Sequence, residues 1–326
     1  MKRKIIDMLK DAAGNFISGE SIADELKVTR TSIWKSIQQL KKFGYDIESR
    51  GKLGYKLNQI GDVLLPAAVQ SGLDTKIIGV DKRMIHKISV DSTNKLAKRL
   101  AYEGAEDGTV IVAEEQTGGK GRLERKFFSP RGKSILFSLI LRPHCLPKDA
   151  PKFTLMAAVA VANAMRRFKL PAQIKWPNDI MFDGRKVVGI LTELSAQIDR
   201  VNYIVVGIGI NANISREDFP DDIKKIAASL SEINGGEISR VDFFRAVLVE
   251  CDKLYCTINA EGFKKIFEQW RKFNITLGHE VKVISADTGE SFFGIAADID
   301  EDGALIVDTP DGRQTLYAGD VSIRNY

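Results

Sequence analysis

The sequence predicts an α+β chain in three parts: a small helical module closed by a β-ribbon, a central mixed-sheet α/β domain and a short all-β C-terminus. Three observations carry this. Apolar residues recur at helical spacing over residues 5–40. Strand and helix patterns then interleave from His86 onward, with several hairpin turns. Residues 276–326 alternate as short strands between turn residues. A length of 326 residues, at roughly 150 per domain, leaves room for two domains and a small third. The expected boundaries are 1–65, 66–275 and 276–326.

The first helix starts on Ile5, Ile6 and Leu9 and breaks near Gly14-Asn15. Ser18 is a good N-cap for a second helix through Ile22, Ala23 and Leu26. Thr29 caps a third, whose Ile33, Ile37 and Leu40 make one apolar stripe, and Gly44 fits the residue that ends it. Two short helices joined by a tight turn form a helix-turn-helix with residues 30–43 as the recognition helix. Thr31, Lys35 and Gln38 fall on its outer face, with Trp34 at the edge. Tyr45 to Ser49 and Tyr55 to Leu57 then read as a two-stranded wing, with Arg50 and Lys52 at its turn, and Asn58 to Pro66 as a linker.

The charge distribution supports a nucleic-acid role for this module. The chain has 48 Lys and Arg against 43 Asp and Glu. Residues 1–65 alone hold twelve bases and eight acids, and residues 27–56 hold eight bases and two acids. A local excess of this size suits a polyanion. Arg30, Thr31, Lys35, Gln38, Arg50 and Lys52 are the candidate DNA contacts. A protein-contact module with a solvated basic face is the alternative.

In the centre, His86 to Val90 is a strand, and Asp91-Ser92-Thr93-Asn94 caps a helix through Leu100. Strands follow at Thr109 to Glu114 and Ser134 to Leu141, then a buried helix from Phe153 to Phe168. Further strands are Gln173 to Lys175, Ile180 to Phe182, Lys186 to Leu194 and Tyr203 to Gly209. The hairpins predict a mixed or mainly antiparallel sheet. Helices over Arg240 to Tyr255 and Phe263 to Phe273 precede the C-terminal strands Glu280 to Ser285, Phe292 to Ile299, Leu305 to Thr309, Thr315 to Tyr317 and Val321 to Ile323.

Composition excludes several classes. With 44% hydrophobic and 28% charged residues the chain is neither disordered nor fibrous. No apolar run approaches the ~18 residues of a membrane span, and acids follow the basic N-terminus too soon for a signal peptide. Three cysteines, with Cys251 and Cys256 at no redox or zinc spacing, fit small core residues in a reducing cytoplasm. Three histidines, no HExxH and no GxSxG argue against a zinc hydrolase or a serine triad.

Four central segments are too polar for their setting. Residues 116–126, Gln-Thr-Gly-Gly-Lys-Gly-Arg-Leu-Glu-Arg-Lys, form a glycine-rich basic loop whose amides and cations can surround an oxyanion. The loop is not a Walker A motif, since Glu114 and Gly121 stand where Gly and Ser or Thr belong. A plain surface loop is the alternative. Lys175-Trp176-Pro177-Asn178-Asp179 packs a cation, an aromatic wall and a carboxylate between strands. Residues 184–193 place Lys186 at the head of an apolar strand, from which it can also snorkel to solvent. Gly207-Ile208-Gly209-Ile210-Asn211-Ala212-Asn213 mimics a dinucleotide fingerprint, but no helix pattern follows.

In this order the four segments and the Asp91-Ser92-Thr93-Asn94 turn resemble the biotin protein ligases. With the N-terminal module, the whole chain resembles the ligases that also repress biotin synthesis. The resemblance implies a class II synthetase-like central domain, an SH3-like C-terminal barrel, and biotin, ATP and Mg²⁺ as substrates and ion. It also implies three partners: the biotin carboxyl carrier protein of acetyl-CoA carboxylase, operator DNA of biotin genes, and a second copy when the adenylate is bound. Membranes are not among them.

By the same resemblance Ser92, Thr93, Asn94, Gln116, Lys120, Gly121, Arg122, Lys186, Gly189, Gly207 and Gly209 hold biotin. Arg122, Arg125, Lys126, Phe127, Lys175, Asn178, Lys186, Asn211 and Arg324 hold the nucleotide. Lys186, Arg122 and Asp179 are the catalytic candidates, with Asp179 as base or merely as a cap on the Pro177 turn. The chain departs from the family's pattern at Lys120, where arginine is usual and a bidentate fork is lost. Glu124 places an acid in the anion loop, and Phe127 replaces a tryptophan and its N–H donor. A non-catalytic ligand-sensing regulator and a ligase for a related acid such as lipoate are the competing readings.

Overall fold

A computed structural model describes the chain except residues 43–44, 60–61, 123–126, 286–290, 318 and 324–326. Arg125, Lys126 and Arg324, expected at the nucleotide, lie outside the described residues, as do Gly44 and Glu124 and the side chain of Lys52. The chain divides into two compact units, Met1–Ser71 and Gly72–Tyr326.

The first unit holds α1 (Lys2–Asp11), α2 (Gly19–Leu26), α3 (Arg30–Lys42), β1 (Asp46–Arg50), β2 (Gly54–Gln59) and α4 (Pro66–Gln70). Its core is made of the apolar stripe positions: Ile5, Leu9, Ile22, Ile33, Ile37 and Leu40, closed by Tyr45, Ile47 and Leu57 from the ribbon. Ser18 caps α2, its hydroxyl accepting from Ser21 N at 3.0 Å. At the other end Lys27 takes the left-handed conformation, φ 52°. The antiparallel pair β1–β2 is the wing. Its turn approaches Ile17 so closely that a Cβ on Gly54, φ +96°, would stand 2.0 Å from Ile17 O. Two reciprocal backbone hydrogen bonds join Ile17 and Tyr55 there. The expected linker differs: β2 runs on to Gln59, and Pro66 starts a helix of five residues, too short for a periodic signal but with proline at a favoured first position.

The second unit contains β3 (Met84–Lys87), α5 (Thr93–Tyr102), β4 (Thr109–Ala113), β5 (Ser134–Leu141), α6 (Lys152–Arg167), β6 (Gln173–Lys175), β7 (Asp179–Phe182), β8 (Arg185–Ala196) and β9 (Val201–Asn211). There follow α7 (Leu230–Asn234), α8 (Arg240–Glu261), α9 (Lys264–Phe273) and β10 (Glu280–Ser285), β11 (Ser291–Ile299), β12 (Leu305–Thr309), β13 (Gly312–Leu316) and β14 (Gly319–Ile323). Seven strands form one sheet in the order β3-β4-β5-β9-β8-β7-β6. Only β3 and β4 are parallel; the other pairs are antiparallel. The sheet is therefore mixed, as the hairpin signals predict.

Helix α5 packs on β4, β5 and β9, and α6 on β6 to β9, with α8 and α9 against α6. The Ala- and Val-rich α6 has residues Phe153 and Leu155 to Ala162 all buried, which explains its weak amphipathic pattern. Helix α8 runs one and a half turns beyond the expected end, to a Gly262 cap at φ +77°. The last five strands make a second sheet, β13-β12-β11-β10-β14. No pairing closes β13 onto β14 among the described residues, so the expected barrel is here a five-stranded antiparallel sheet.

The C-terminal strands are tied to the central sheet around the β6–β7 turn. Trp176 donates through its indole N–H to Gly303 O at 3.2 Å and through its backbone N–H to Thr276 Oγ1 at 2.9 Å. Gly303 is left-handed, φ +77°, and a Cβ there would meet Leu155 Cδ1 at 2.9 Å. The buried ammonium of Lys152 bridges Asp149 at 2.9 Å and Asp302 at 2.8 Å. Burial pulls its pKa down, but the two carboxylates outweigh burial and leave it raised.

Candidate active site and nucleic-acid interface

The N-terminus of α5, the glycine-rich loop and the middles of β8 and β9 surround a partly open cleft. It is lined by Ser92, Thr93, Asn94, Gln116, Lys120, Gly121, Lys186, Gly189, Gly207 and Gly209, together with Phe127, Asn178, Ile190, Leu191 and Ile208. All the residues expected at biotin meet here except Arg122, which lines an adjoining groove and stands 3.5 Å from Asn178 Oδ1.

Each part of the wall has a local cause. Ser92 caps α5, accepting from Lys95 N at 3.5 Å, which fixes the first turn and presents Thr93 and Asn94 inward. The backbone N–H of Ser92 holds the Asp91 carboxyl below the usual carboxylate range; desolvation opposes it, and Lys95 adds smaller contributions in the same direction as Ser92. Gln116 Oε1 accepts from Thr93 N at 2.7 Å and from Thr93 Oγ1 at 2.9 Å. Its amide NH₂ is thereby turned toward Gly119, where a Cβ would be 3.0 Å away. The base of the loop is pinned by Gly118 N to Asp91 O at 2.8 Å and Thr117 N to Val90 O at 2.9 Å.

Three strand glycines make room for side chains from elsewhere. A Cβ on Gly207 would stand 2.0 Å from Asn94 Oδ1; on Gly209, 2.8 Å from the Phe127 ring; on Gly189, 3.0 Å from Lys186 Cε. The GxG repeat of β9 is thus a bare strip on which Asn94 and Phe127 lie. Phe127, expected over the nucleotide, rests its ring inside the cleft.

Lys186 Nζ is 2.6 Å from Asp179 Oδ1, across the β7–β8 pair. This is an ion contact without hydrogen-bond alignment, for Asp179 Oδ1 has no aligned donor. The structure thus gives Asp179 a role that neither expectation contained: it faces the central lysine. The backbone of Lys186 is anchored by Ile226 O at 2.7 Å and by Ala228 N at 2.9 Å. Asn178 donates to Ile190 O at 2.8 Å across the same hairpin.

Besides Arg122, two expected nucleotide residues stand apart from the cleft lining. Asn211, 5% exposed, ends β9 and donates to Ala228 O at 3.0 Å, bracing the segment behind Lys186. Lys175 pairs across from Asp179 at the β6–β7 turn, outside the residues that line the cleft. Conversely, Ser138, Lys98 and Glu193 surround Asn94 and were not singled out. A serine in the middle of the apolar β5, and a lysine four residues after Asn94 on one helix face, are the signals the sequence offers.

In the first unit Arg30, Thr31 and Gln38 line a groove between α3 and the wing, with Trp34, Lys41, Ser49 and Tyr55. Thr31, Trp34, Gln38 and Lys41 lie at i, i+3, i+7 and i+10, a second stripe about a third of a turn round the helix from the apolar one. Lys35 is exposed outside the groove lining. Arg50 donates to Glu48 at 2.6 Å and lies 5.4 Å from the Phe16 ring, so its charge is partly engaged. Trp34 is 53% exposed, unusual for so large an apolar side chain.

Comparisons with known proteins find matches in both units. Residues 87–211 match the Biotin/lipoate A/B protein ligase family, 2–56 an HTH domain and 276–324 the Biotin protein ligase C terminal domain. The chain is 37% identical over 324 residues to the bifunctional ligase/repressor BirA of Bacillus spizizenii, covering 99% of this chain and 98% of that one. The chain belongs to the biotin protein ligases. A second member, the bifunctional ligase/repressor BirA of Escherichia coli, is 29% identical over 99% of this chain and 97% of its own. The biotin protein ligase of Aquifex aeolicus, solved in complex with biotin and ATP, superposes with a TM-score of 0.64 at 30% identity. It covers 76% of this chain and all of its own. The ligase-family match spans the residues that line the cleft, and the HTH match spans those that line the groove between α3 and the wing. No helix among the described residues is long and apolar enough to cross a membrane.

Proposed function

We propose that this chain activates biotin with ATP to biotinoyl-5′-AMP, transfers the biotin to a lysine of a biotin carboxyl carrier protein, and represses biotin genes through its N-terminal unit. The observation that carries the reading is the cleft in which a capped helix start, a glycine strip and Lys186 converge, on a chain with full-length ligase/repressor relatives.

In the first step a biotin carboxylate oxygen attacks the α-phosphorus of ATP, the bond to the β-phosphate breaks, and pyrophosphate leaves. Two anions must approach, and a fixed cation between them is favoured more as charge builds in the transition state. Lys186 is that cation, with Asp179 holding its ammonium in place. Arg122 flanks the carboxyl end of biotin, and Asn178 joins it to the β7–β8 hairpin. Among the described residues no cluster of three His, Cys, Asp or Glu could hold a resident ion; Mg²⁺ enters with the triphosphate as part of the substrate. In the second step a neutral lysine amine of the carrier attacks the carbonyl carbon and AMP leaves. Asp179 takes the amine's proton once Lys186 has turned to the phosphate.

The domains are 1–65 for DNA, 66–275 for catalysis and 276–326 as an SH3-like module on a class II synthetase-like core. The chain works in the cytoplasm and pairs as a homodimer when the adenylate is bound. Pyrophosphate release on adding biotin and MgATP tests the enzymatic reading. Release with lipoate and not with biotin would assign the other acid, and no release with either would leave a ligand-sensing regulator.

A further inference from the structure

Asn94 is 6% exposed and lies against Gly207 in the cleft wall. Its carboxamide has two ends, an acceptor and a donor, of nearly equal shape, and only its surroundings decide which end meets a ligand. Here one side is acceptor-only. Asn94 Nδ2 donates to Glu193 Oε2 at 2.8 Å and to Leu191 O at 3.2 Å. On the other side Asn94 Oδ1 accepts from the Ser138 hydroxyl at 2.6 Å. A carboxylate and a carbonyl cannot donate, so the NH₂ must face them, and the oxygen with its second lone pair is left toward the Gly207 strip.

Glu193 is itself held. Lys98, one turn after Asn94 on α5, lies 2.5 Å from Glu193 Oε1, so each oxygen of the carboxylate serves one partner. The pair is partly exposed, with side chains 40% and 32% accessible, and as an ion pair contributes little stability. Its consequence is orientation.

We propose that Glu193, clamped by Lys98, is a positioning residue that locks Asn94 as a hydrogen-bond acceptor and so selects a ligand with an N–H at that point, as on the ureido ring of biotin. The inference rests on the biotin reading above and adds the residues that enforce its selectivity. Glu193→Gln tests it sharply. The Lys98 ammonium would claim the new amide's oxygen, leaving its NH₂ against the NH₂ of Asn94, which must flip and turn a donor toward the ligand N–H. Removing the ammonium frees the glutamine to turn its oxygen to Asn94, so Lys98→Met in the same chain should repair the defect.

The experiment is calorimetric titration of the full chain with biotin, with pyrophosphate release measured against biotin and against ATP. In Glu193→Gln the biotin Kd and KM should rise about 10- to 100-fold, the range for a mispaired buried polar group. The KM for ATP, and kcat at saturating biotin, should stay within about twofold of wild type, as expected when only binding is lost. The Lys98→Met/Glu193→Gln chain should recover most of the biotin affinity. Unchanged biotin binding in Glu193→Gln, or a double variant as weak as the single one, would overturn the inference. Absence of biotin binding by the wild-type chain would instead overturn the ligase reading beneath it.

Discussion

At Lys186 one side chain meets both an acid of its own chain and, in the proposed reaction, the charge of two substrates. Lys186→Ala should slow adenylation by a factor corresponding to roughly 2 to 4 kcal/mol, the usual effect of losing one preorganised electrostatic group. The check is pyrophosphate release at saturating biotin and ATP, beside an unchanged circular dichroism spectrum; a wild-type rate would remove Lys186 from the mechanism. Gly207 offers a different kind of test. A methyl at 207 would overlap Asn94 Oδ1 at 2.0 Å, and because both lie in packed strand and helix backbone, Asn94 must leave its place. Gly207→Ala should therefore raise the biotin KM at least about tenfold, the loss expected when a binding hydrogen bond is misdirected, while the ATP KM holds. The residue scale also shows what could be read beforehand. Cation, glycine and cap positions were legible because each residue type is costly or rare in its setting. Asp179 facing Lys186 was not, since a β-hairpin with a register shift between Ile180 and Met181 brings them together. Glu193 was hidden for the same reason: its partner is ninety-nine residues away in sequence.

Elements were legible in proportion to their length and periodicity. The eight residues of β5 and the stripe of α3 fall where the pattern puts them, whereas α4 and α7, five residues each, carry no period to detect. The wing is the element whose placement depends most on one residue. Gly54 is left-handed and touches the Ile17 backbone, so alanine there adds strain and a clash at once. Gly54→Ala should lower operator affinity and the melting temperature of the first unit, while pyrophosphate release continues at the wild-type rate. Equal operator affinity in a gel-shift titration would show that the wing does not contact DNA. Lys35→Ala on α3 and Arg50→Ala in the wing should each reduce the magnitude of the salt slope by about 1 if they meet phosphates. Because Arg50 is already engaged by Glu48 at 2.6 Å, the smaller change belongs to it.

For the whole molecule, the helix-turn-helix and the ligase cleft lie in two compact units, and the adenylate is the ligand proposed to couple their activities. Footprinting of the biotin promoter with and without biotin plus ATP should show higher occupancy with both present, together with a shift from monomer to dimer in sedimentation. Equal occupancy would mean that the adenylate is no corepressor. The tie between the two sheets of the second unit bears on synthesis. Trp176 stands next to Asn178 of the cleft, yet the groups that accept its two N–H bonds, Thr276 and Gly303, come from the far end of the chain. A ribosome delivers residues in order, so a nascent polypeptide long enough to contain every cleft-lining residue still lacks the clasp that sets the turn between them. A product truncated before residue 276 carries the residues of the cleft without the two groups that accept from Trp176.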